Sequence, residues 1–273
     1  MFCICGEAHA ARAETALRIL RRFSRSDVVL VVARSGYLPK HDQVLNVGVP
    51  ADLSDHQASI YLKTMLPQLV GDGSATCCYL DSDQIATSSR VDDVFASYRP
   101  PVTFAADDST IDRFSRYAVR CSCRAGPCTH LRAAIRRTFG IELPDGEQRL
   151  WNGGLYLFDR RSLEFSRAWH ANTVLTFDDP CWRVRDQGTL MVTRWQLGLQ
   201  SHPTFPPAAT RIVDRFYGYR EAQRPALTPA EFFVDRGYRL GDDDGPAFLH
   251  FINGGVGCAG WPNWDEVEAW VHA

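Results

Sequence analysis

The sequence predicts a mixed α/β protein built on a doubly wound, mostly parallel sheet flanked by helices. Three observations predict this fold class. Short apolar runs alternate with helical patterns in the N-terminal part of the chain. Residues 28–33 form a continuous apolar, β-branched run, which is typical of a strand covered on both faces. Asp81 and Asp83 follow another apolar run, at the carboxyl end of a predicted strand, where open α/β sheets place their sites.

The N-terminal part predicts a strand–helix–strand–helix–strand order. The predicted strands are 2–5, 28–33 and 75–80, and the predicted helices are 7–23 and the segment after Ser54. Ala13, Ala16 and Leu20 share one helical face, and Ser54 is a suitable N-cap. This order indicates parallel strands joined by crossover helices.

The C-terminal part continues the same pattern. Further strands are predicted at 102–106, 155–158 and 248–252, and helices at 91–98, 161–171, 186–199 and in the tail from Asn263. No internal repeat or low-complexity linker interrupts the chain. We therefore expect one domain spanning residues 1–273.

Composition excludes some classes of function. The net charge of −2 argues against whole-surface binding to nucleic acid or anionic membrane, and no apolar run has the length of a membrane span. The chain contains nine cysteines, and no signal peptide precedes them. We therefore expect a cytoplasmic protein whose cysteines are free thiols or metal ligands rather than a disulfide framework.

The aspartate pair is the first candidate site. Residues i and i+2 of an extended chain point the same way, so Asp81 and Asp83 can reach one point. Two carboxylates at one point favour a hard divalent cation such as Mg²⁺ or Mn²⁺. The alternative is a polar strand-to-loop junction in which aspartate forms the turn.

Four separated motifs occur together in a characteristic order. They are Tyr-Leu-Asp-Ser-Asp at 79–83, Asn-Gly-Gly-Leu-Tyr-Leu-Phe at 152–158, Asp-Gln-Gly at 186–188 and His-Phe-Ile-Asn-Gly at 250–254. With these motifs the chain resembles the GT-A fold glycosyltransferases, most closely glycosyltransferase family 8, which includes lipopolysaccharide galactosyltransferases and glycogenin. The resemblance implies a nucleotide-binding half at about 1–110 and an acceptor half at about 111–273.

The resemblance also implies a metal site and a donor. In such enzymes the Asp-x-Asp carboxylates and a late histidine bind Mn²⁺, which holds the diphosphate of a nucleotide sugar. The matching residues are Asp81, Asp83 and His250, and the implied donor is a UDP-hexose. A cation bridging two phosphates neutralises charge on the leaving group, and an imidazole ligand suits Mn²⁺ better than Mg²⁺. Otherwise His250 is a hydrogen-bonded histidine at a strand end.

Two further motifs resemble the family's sugar-binding segments. Asn152, Gly153 and Gly154 match the segment beneath the donor sugar, where glycine permits close backbone approach. The alternative is a tight turn before a strand. Asp186 and Gln187 match the pair beside the anomeric carbon, although Asp186 is also suited to be a helix N-cap. Such enzymes transfer the sugar with retention of anomeric configuration.

The sequence departs from the family pattern in two places. The family's Lys-Pro-Trp after the histidine is replaced by the Gly-rich run 256–262, which contains no lysine. Either an arginine from elsewhere or the backbone N–H groups of this Gly-rich region contact the diphosphate instead, or activity is impaired. Gly254 and Gly255 are counted with the substrate-binding residues. The first strand lacks the usual acidic and Asn residues that hold the base. Gly6, Glu7 and His9 are the nearest substitutes.

A cysteine- and arginine-rich insertion near 113–137 lies outside the family pattern. Cys121, Cys123, Cys128 and His130 form a complete set of soft ligands, which favours structural Zn²⁺, with free thiols on a loop as the alternative. Seven arginines and no acidic residue occur in this stretch. They are suited to an anionic acceptor or to the diphosphate, or they form a solvated basic face.

These observations favour a metal-dependent hexosyltransferase acting on an unknown acceptor. One alternative is a sugar-1-phosphate nucleotidyltransferase, which shares the sheet architecture but needs a Gly-rich, basic loop after the first strand. The other is a non-catalytic module that binds nucleic acid or a nucleotide sugar, against which the near-neutral net charge counts.

Overall fold

A computed structural model describes residues 1–34, 43–70, 75–123, 126–144, 148–214 and 246–252. Gly254, Gly255 and the tail helix predicted from Asn263 lie outside these residues. The strands are β1 (Phe2–Cys5), β2 (Leu30–Ala33), β3 (Val44–Asn46), β4 (Cys77–Leu80), β5 (Gln84–Ala86), β6 (Val102–Thr110), β7 (Arg149–Phe158), β8 (Thr210–Asp214) and β9 (Phe248–Ile252). The α-helices are α1 (Glu7–Phe23), α2 (Asp55–Leu69), α3 (Ile111–Ala118), α4 (His130–Phe139), α5 (Leu163–Leu175) and α6 (Asp186–Gln196). Two 3₁₀ segments span Ser89–Ser97 and Arg160–Ser162.

The chain divides into two compact units, each assembled from separated segments. Unit 1 comprises Met1–Val47, Tyr79–Ser97 and Phe205–Ala273, and unit 2 comprises Gly48–Cys78 and Tyr98–Thr204. The chain passes from unit 2 into unit 1 within β4. These bounds differ from the two halves drawn from the sequence, because distant segments pair in space.

Unit 1 contains the parallel sheet predicted from the N-terminal pattern. β1, β2 and β3 pair in this order and all run parallel, with Phe2 opposite Leu30 and Leu30 opposite Val44. Every residue of β1 and β2 is buried, as expected for strands covered on both faces. A second sheet has the order β5–β9–β8, in which β9 runs antiparallel to β5 and parallel to β8.

Unit 2 is built around an antiparallel strand pair and an aromatic core. β6 and β7 pair antiparallel, with register shifts after Phe104 and after Ala106, in a sheet of order β4–β7–β6. Phe104 stacks on Trp151 and Tyr156 with ring centroids 5.1 and 4.9 Å apart. Phe165 and Trp169 of α5 pack on the same Phe104 ring. Among the described residues the sheet content is therefore mixed, and the β1–β2–β3 sheet alone is purely parallel.

Helix α2 begins as the sequence predicts. Ser54 caps it: its hydroxyl accepts from the Gln57 N–H at 3.2 Å, and Gln57 Oε1 accepts from the Ser54 N–H at 2.9 Å. This reciprocal capping box satisfies two backbone donors at the helix start. No helix in the described ranges is both long and apolar enough to cross a lipid bilayer.

The structure excludes two of the alternative interpretations that the sequence left open. Asn152, Gly153 and Gly154 do not form a turn before a strand. They lie inside β7, which starts at Arg149, and Asn152 pairs with Ala105 of β6. Asp186 is not the N-cap of α6. Arg185 occupies that position, and the Asp186 carboxylate is held by Lys63 instead of the helix backbone.

Candidate functional site

The first cluster begins in unit 1, at the turn that joins β4 to β5. The Gln84 N–H donates to the Asp81 carbonyl at 3.0 Å, which closes a four-residue turn. The sequence predicted that Asp81 and Asp83 converge because the chain is extended. They converge because the chain turns tightly between two short strands.

The pairing of β9 with β5 brings His250 to the turn that carries Asp81 and Asp83. In the antiparallel register of β5 and β9, His250 lies opposite Gln84, one residue past Asp83. The Phe251 N–H donates to the Asp83 carbonyl at 2.9 Å and extends this pairing to the turn. The resulting Asp–Asp–His cluster places His250 Nε2 3.1 Å from Asp83 Oδ1 and 3.9 Å from Asp81 Oδ2.

The chemistry of the Asp–Asp–His cluster fits a divalent cation. One ligand atom from each residue lies within 4.8 Å of the other two. The His250 side chain is 6 % exposed, whereas each aspartate side chain is 27 % exposed. Two carboxylates held this close repel each other, and a cation between them and an imidazole removes that repulsion. The Tyr79 hydroxyl donates to Asp81 Oδ1 and so fixes the orientation of that carboxylate.

A second cluster lies in unit 2, around Asp186. Lys63 Nζ is 2.7 Å from Asp186 Oδ2, and their side chains are only 7 % and 14 % exposed. Burial alone would raise the pKa of the Asp186 carboxyl. The charge and direct contact of Lys63 outweigh burial and lower this pKa below its ordinary value of 3.8. Asp186 is therefore ionised at neutral pH.

Gly153 makes room for this ion pair. A Cβ at position 153 would lie 2.6 Å from Asp186 Oδ2, which is too close for a non-bonded carbon and oxygen. It would also lie 3.2 Å from Lys63 Nζ, which is a tight contact. The glycine in β7 is thus required by space rather than by an unusual backbone conformation. The sequence motif predicted close approach at this position, and the group that approaches is a side chain of the protein itself.

A hydrogen-bond network around Asp107 connects the other two motifs. Asp107 Oδ2 accepts from Gln187 Nε2 at 2.7 Å and from Asn152 Nδ2 at 3.1 Å. The Asn152 Oδ1 accepts from the Gly154 N–H at 2.8 Å, so both ends of the Asn152 amide bond to protein groups. The Asp107 network therefore fixes the orientation of Asn152 and Gln187.

Sequence reasoning missed Lys63 and Asp107. Lys63 is one of only two lysines in the chain, and it falls on the buried face of α2 with Ile60 and Pro67, at helical spacing. A lysine on an apolar helix face is a signal for a buried ionic partner. Asp107 follows the strand predicted at 102–106 and offered the same signal as Asp81, a carboxylate at a strand end.

The remaining predicted site residues lie outside these two clusters. Gly6 has φ 76° and joins β1 to α1. Glu7 is exposed and His9 is half-buried in the first turn of α1. Cys121, Cys123, Cys128 and His130 come together in unit 2. Several arginines of the 113–137 stretch pair with acids from outside it: Arg132 with Asp112, Arg136 with Glu142 and Arg137 with Asp179.

Comparison with known proteins gives structural but not sequence matches. No protein-family model and no curated protein matches the chain. The structure of mouse xyloside xylosyltransferase 1 is similar over 91 % of this chain and 96 % of its own, with a TM-score of 0.52 and 12 % identity. The galactosyltransferase LgtC, solved with donor and acceptor sugar analogues, matches over 99 % and 94 %, with a TM-score of 0.55 and 11 % identity.

The bifunctional glycosyltransferase WbbM matches over 99 % of this chain with a TM-score of 0.58 and 15 % identity. This chain spans 49 % of the length of WbbM. The protein has the GT-A glycosyltransferase fold. The predicted fold class is thus confirmed.

Proposed function

We propose that this protein is a metal-dependent glycosyltransferase that moves a hexose from a nucleotide-diphosphate sugar, a UDP-hexose, to an acceptor. The observation that carries the proposal is the Asp–Asp–His cluster, in which two neighbouring aspartates and a histidine far along the sequence converge. The fold shared with several glycosyltransferases supports the same reaction class. Its cytoplasmic location stays a prediction, as does its organisation as one domain over residues 1–273.

Asp81, Asp83 and His250 would hold Mn²⁺, or Mg²⁺ with a lower preference. The ion, when bound, neutralises charge that develops on the departing diphosphate. The Tyr79 hydroxyl holds Asp81 in one orientation, so less conformational freedom is lost when the cation binds. The low exposure of His250 keeps its imidazole out of bulk water.

In this proposal Asp186 and Gln187 contact the hexose. The ionised Asp186 carboxylate can accept hydrogen bonds from sugar hydroxyls, and Lys63 keeps it ionised. Gln187 donates its amide N–H to Asp107, so its carbonyl oxygen is available for the sugar or the acceptor. Asn152 acts as a positioning residue in this proposal, because its amide is already bonded at both ends.

The resemblance to family 8 supports transfer with retention. In a retaining transfer, the bond between the anomeric carbon and the phosphate oxygen breaks. The acceptor oxygen then bonds to the anomeric carbon on the same face of the sugar. The acceptor proton passes to the departing phosphate oxygen, so no protein base is required. An anionic acceptor is less favoured than the sequence suggested, because three of the insertion's arginines are already paired with carboxylates.

Thermal unfolding with nucleotide ligands tests the metal cluster. We expect UDP plus Mn²⁺ to raise the unfolding midpoint by about 5 °C at a UDP concentration of about 100 Kd, and UDP alone to raise it much less. Asp83→Ala should abolish the Mn²⁺-dependent part of the shift. The matched control is Asp93→Ala, which removes a carboxylate that is 72 % exposed, and it should keep the full shift.

A screen of nucleotide sugars for hydrolysis, with and without Mn²⁺, tests the protein residues that are proposed to contact the hexose. Gln187→Ala should keep the UDP-dependent shift, because UDP carries no hexose, and should lower kcat for the preferred sugar by about 100-fold. An Asp83→Ala variant that binds and turns over the donor normally would overturn the proposal. So would a wild-type protein that no nucleotide sugar stabilises.

A further inference from the structure

The proposed glycosyl transfer makes no use of the thiol cluster, formed by Cys121, Cys123, Cys128 and His130 in unit 2. The three cysteines are free. Cys121 Sγ lies 4.0 Å from Cys128 Sγ, and Cys123 Sγ lies 3.8 Å from His130 Nδ1. One ligand atom from each of the four residues lies within 4.8 Å of the other three. Four ligand atoms suited to zinc therefore lie close together.

These separations match a tetrahedral zinc site better than a disulfide. With a zinc–sulfur distance of about 2.3 Å, two thiolates of a tetrahedron lie about 3.8 Å apart. A disulfide requires about 2.05 Å between the sulfurs, far shorter than the separation of Cys121 and Cys128. Three thiolates and one imidazole also form one of the common ligand sets of structural zinc.

The protein backbone holds the ends of the ligand-bearing segment in place. After α3, the Arg120 N–H donates to the Cys181 carbonyl at 2.8 Å. Before α4, the Cys128 N–H donates to the Asp112 carbonyl at 2.9 Å. In the first turn of α4, the Leu131 N–H donates to Ser115 Oγ at 2.8 Å. These bonds bring the two pairs of ligands together without help from the thiols.

Ion pairing and packing reinforce the same arrangement. The Arg132 guanidinium contacts both oxygens of Asp112, at 2.6 and 3.2 Å, and so ties α4 to α3. Both helices are anchored in one apolar core. Between the helices, the described residues of 120–128 form no helix or strand. A segment without regular structure, fixed at both ends, is a suitable place for a metal to supply the missing cross-link.

We propose that Cys121, Cys123, Cys128 and His130 bind one Zn²⁺ ion with a structural role. Four protein ligands complete a tetrahedron and leave no position for substrate or water, which distinguishes structural from catalytic zinc. Binding converts three thiols to thiolates and releases three protons, while His130 binds as neutral imidazole. The ion cross-links the segment after α3 to the first turn of α4. This inference does not depend on the proposed glycosyl transfer.

Metal content is the first test. The full-length protein is loaded with Zn²⁺ under a thiol-free reductant, passed over a desalting column and analysed by elemental mass spectrometry. We expect about one zinc per chain in the wild type and a loss of at least about 80 % of it in Cys123→Ser or Cys128→Ser. Cys181→Ser is the matched control, since Cys181 is a half-buried free thiol outside the cluster, and it should retain the zinc.

Cobalt substitution separates this site from the Asp–Asp–His cluster. Thiolate ligands give Co²⁺ an intense charge-transfer absorption that oxygen and nitrogen ligands do not give. We expect this absorption in the wild type and in Asp83→Ala, and its loss in Cys128→Ser. Absorption that disappears with Asp83→Ala, or that survives in Cys128→Ser, would overturn the proposal.

Thiol protection in the wild type keeps the test valid if a cysteine variant fails to fold. Alkylation followed by peptide mass spectrometry should show Cys121, Cys123 and Cys128 protected in the zinc-loaded protein and modified after chelation. Cys181 should react equally in both samples. Equal reactivity of the three cluster thiols with and without zinc, or a Cys121–Cys128 disulfide in freshly purified protein, would show that no zinc site exists.

Discussion

At the residue scale, Gly153 lies in close contact with the ion pair of Lys63 and Asp186. Asp186 Oδ2 and Lys63 Nζ both lie where a Cβ at position 153 would contact them. The ion pair is nearly excluded from water, so neither charge can be compensated by solvent if the geometry changes. Adding a single methyl group at position 153 is therefore expected to destabilise the protein.

We expect Gly153→Ala to lower the free energy of unfolding by about 1–3 kcal/mol, because the new methyl group displaces the Asp186 carboxylate. Urea denaturation measures this change, and turnover of the preferred nucleotide sugar should fall with it. Gly48→Ala is the matched control, since a Cβ there meets nothing within 4 Å. It should change stability by less than about 1 kcal/mol. Equal effects of the two substitutions would contradict the close contact at Gly153.

The lowered pKa of Asp186 predicts a specific pH dependence. Below pH 3.8 the carboxyl group in the unfolded chain takes up a proton that the folded protein resists, because Lys63 holds the carboxylate. The stability from this group is complete above pH 3.8 and is lost as pH falls through the lower folded-state pKa.

We therefore expect Asp186→Asn to flatten the acid side of the stability curve. Urea denaturation at pH values from 6 down to about 3 measures the slope. Asp93→Asn, a substitution at an exposed carboxyl, should leave the wild-type slope unchanged. Parallel curves for wild type and Asp186→Asn would show that Lys63 does not stabilise the charged form.

At the element scale, a proline explains how α2 is attached to β7. Pro67 lies inside α2 and has no N–H, so it cannot donate to the Lys63 carbonyl four residues earlier. The Tyr156 hydroxyl of β7 donates to this carbonyl at 2.6 Å. Replacing the helical bond by a tertiary one fixes the segment of α2 that carries Lys63 against the strand that carries Gly153.

A double-mutant cycle tests this attachment. Tyr156→Phe should lower the free energy of unfolding by about 1–3 kcal/mol, since it removes the donor to a buried carbonyl. In a Pro67→Ala background the restored N–H can donate to the Lys63 carbonyl, so the same substitution should cost about 1 kcal/mol less. Denaturation of all four proteins gives the coupling. Additive effects would show that the two groups do not share this carbonyl.

At the scale of the whole molecule, charge is nearly balanced. The net charge is −2, and the 113–137 stretch that looked strongly basic in sequence has arginines neutralised by Asp112, Glu142 and Asp179. These acids are close in space but lie outside the stretch. In the part of the chain that the structure describes, these three ion pairs reduce the positive charge of the stretch, whereas a nucleic-acid-binding module needs a continuous basic face.

We expect single-stranded DNA and RNA to bind weakly, with no steep dependence on salt. Fluorescence anisotropy between about 50 and 200 mM salt measures the slope of log K against log salt concentration. A protein with 6–10 phosphate contacts would lose about 10³–10⁵ in affinity over this range. Such a loss would favour the nucleic-acid-binding alternative over glycosyl transfer.

Much of the fold could be predicted because local patterns and tertiary packing agree. The apolar run at 28–33, the capping residue Ser54 and the helical spacing in α1 all predicted elements that the structure contains. The short strands β3, β5 and β8 were missed, because three to five residues carry too little pattern to identify a strand. Glycines at 153 and 154 concealed the first half of β7, because glycine in a strand resembles a turn signal.

The sequence by itself determined the fold class and the chemical type of each candidate site, since hydrophobic periodicity and ligand chemistry are properties of residue order. Only the tertiary structure decided which groups meet. The register of β5 and β9 brings His250 to the aspartate turn, and the packing of α2 on β7 pairs Lys63 with Asp186. Asp107 joins residues 152 and 187 through one carboxylate oxygen. Such contacts depend on distances between segments far apart in the chain, and no local pattern encodes those distances.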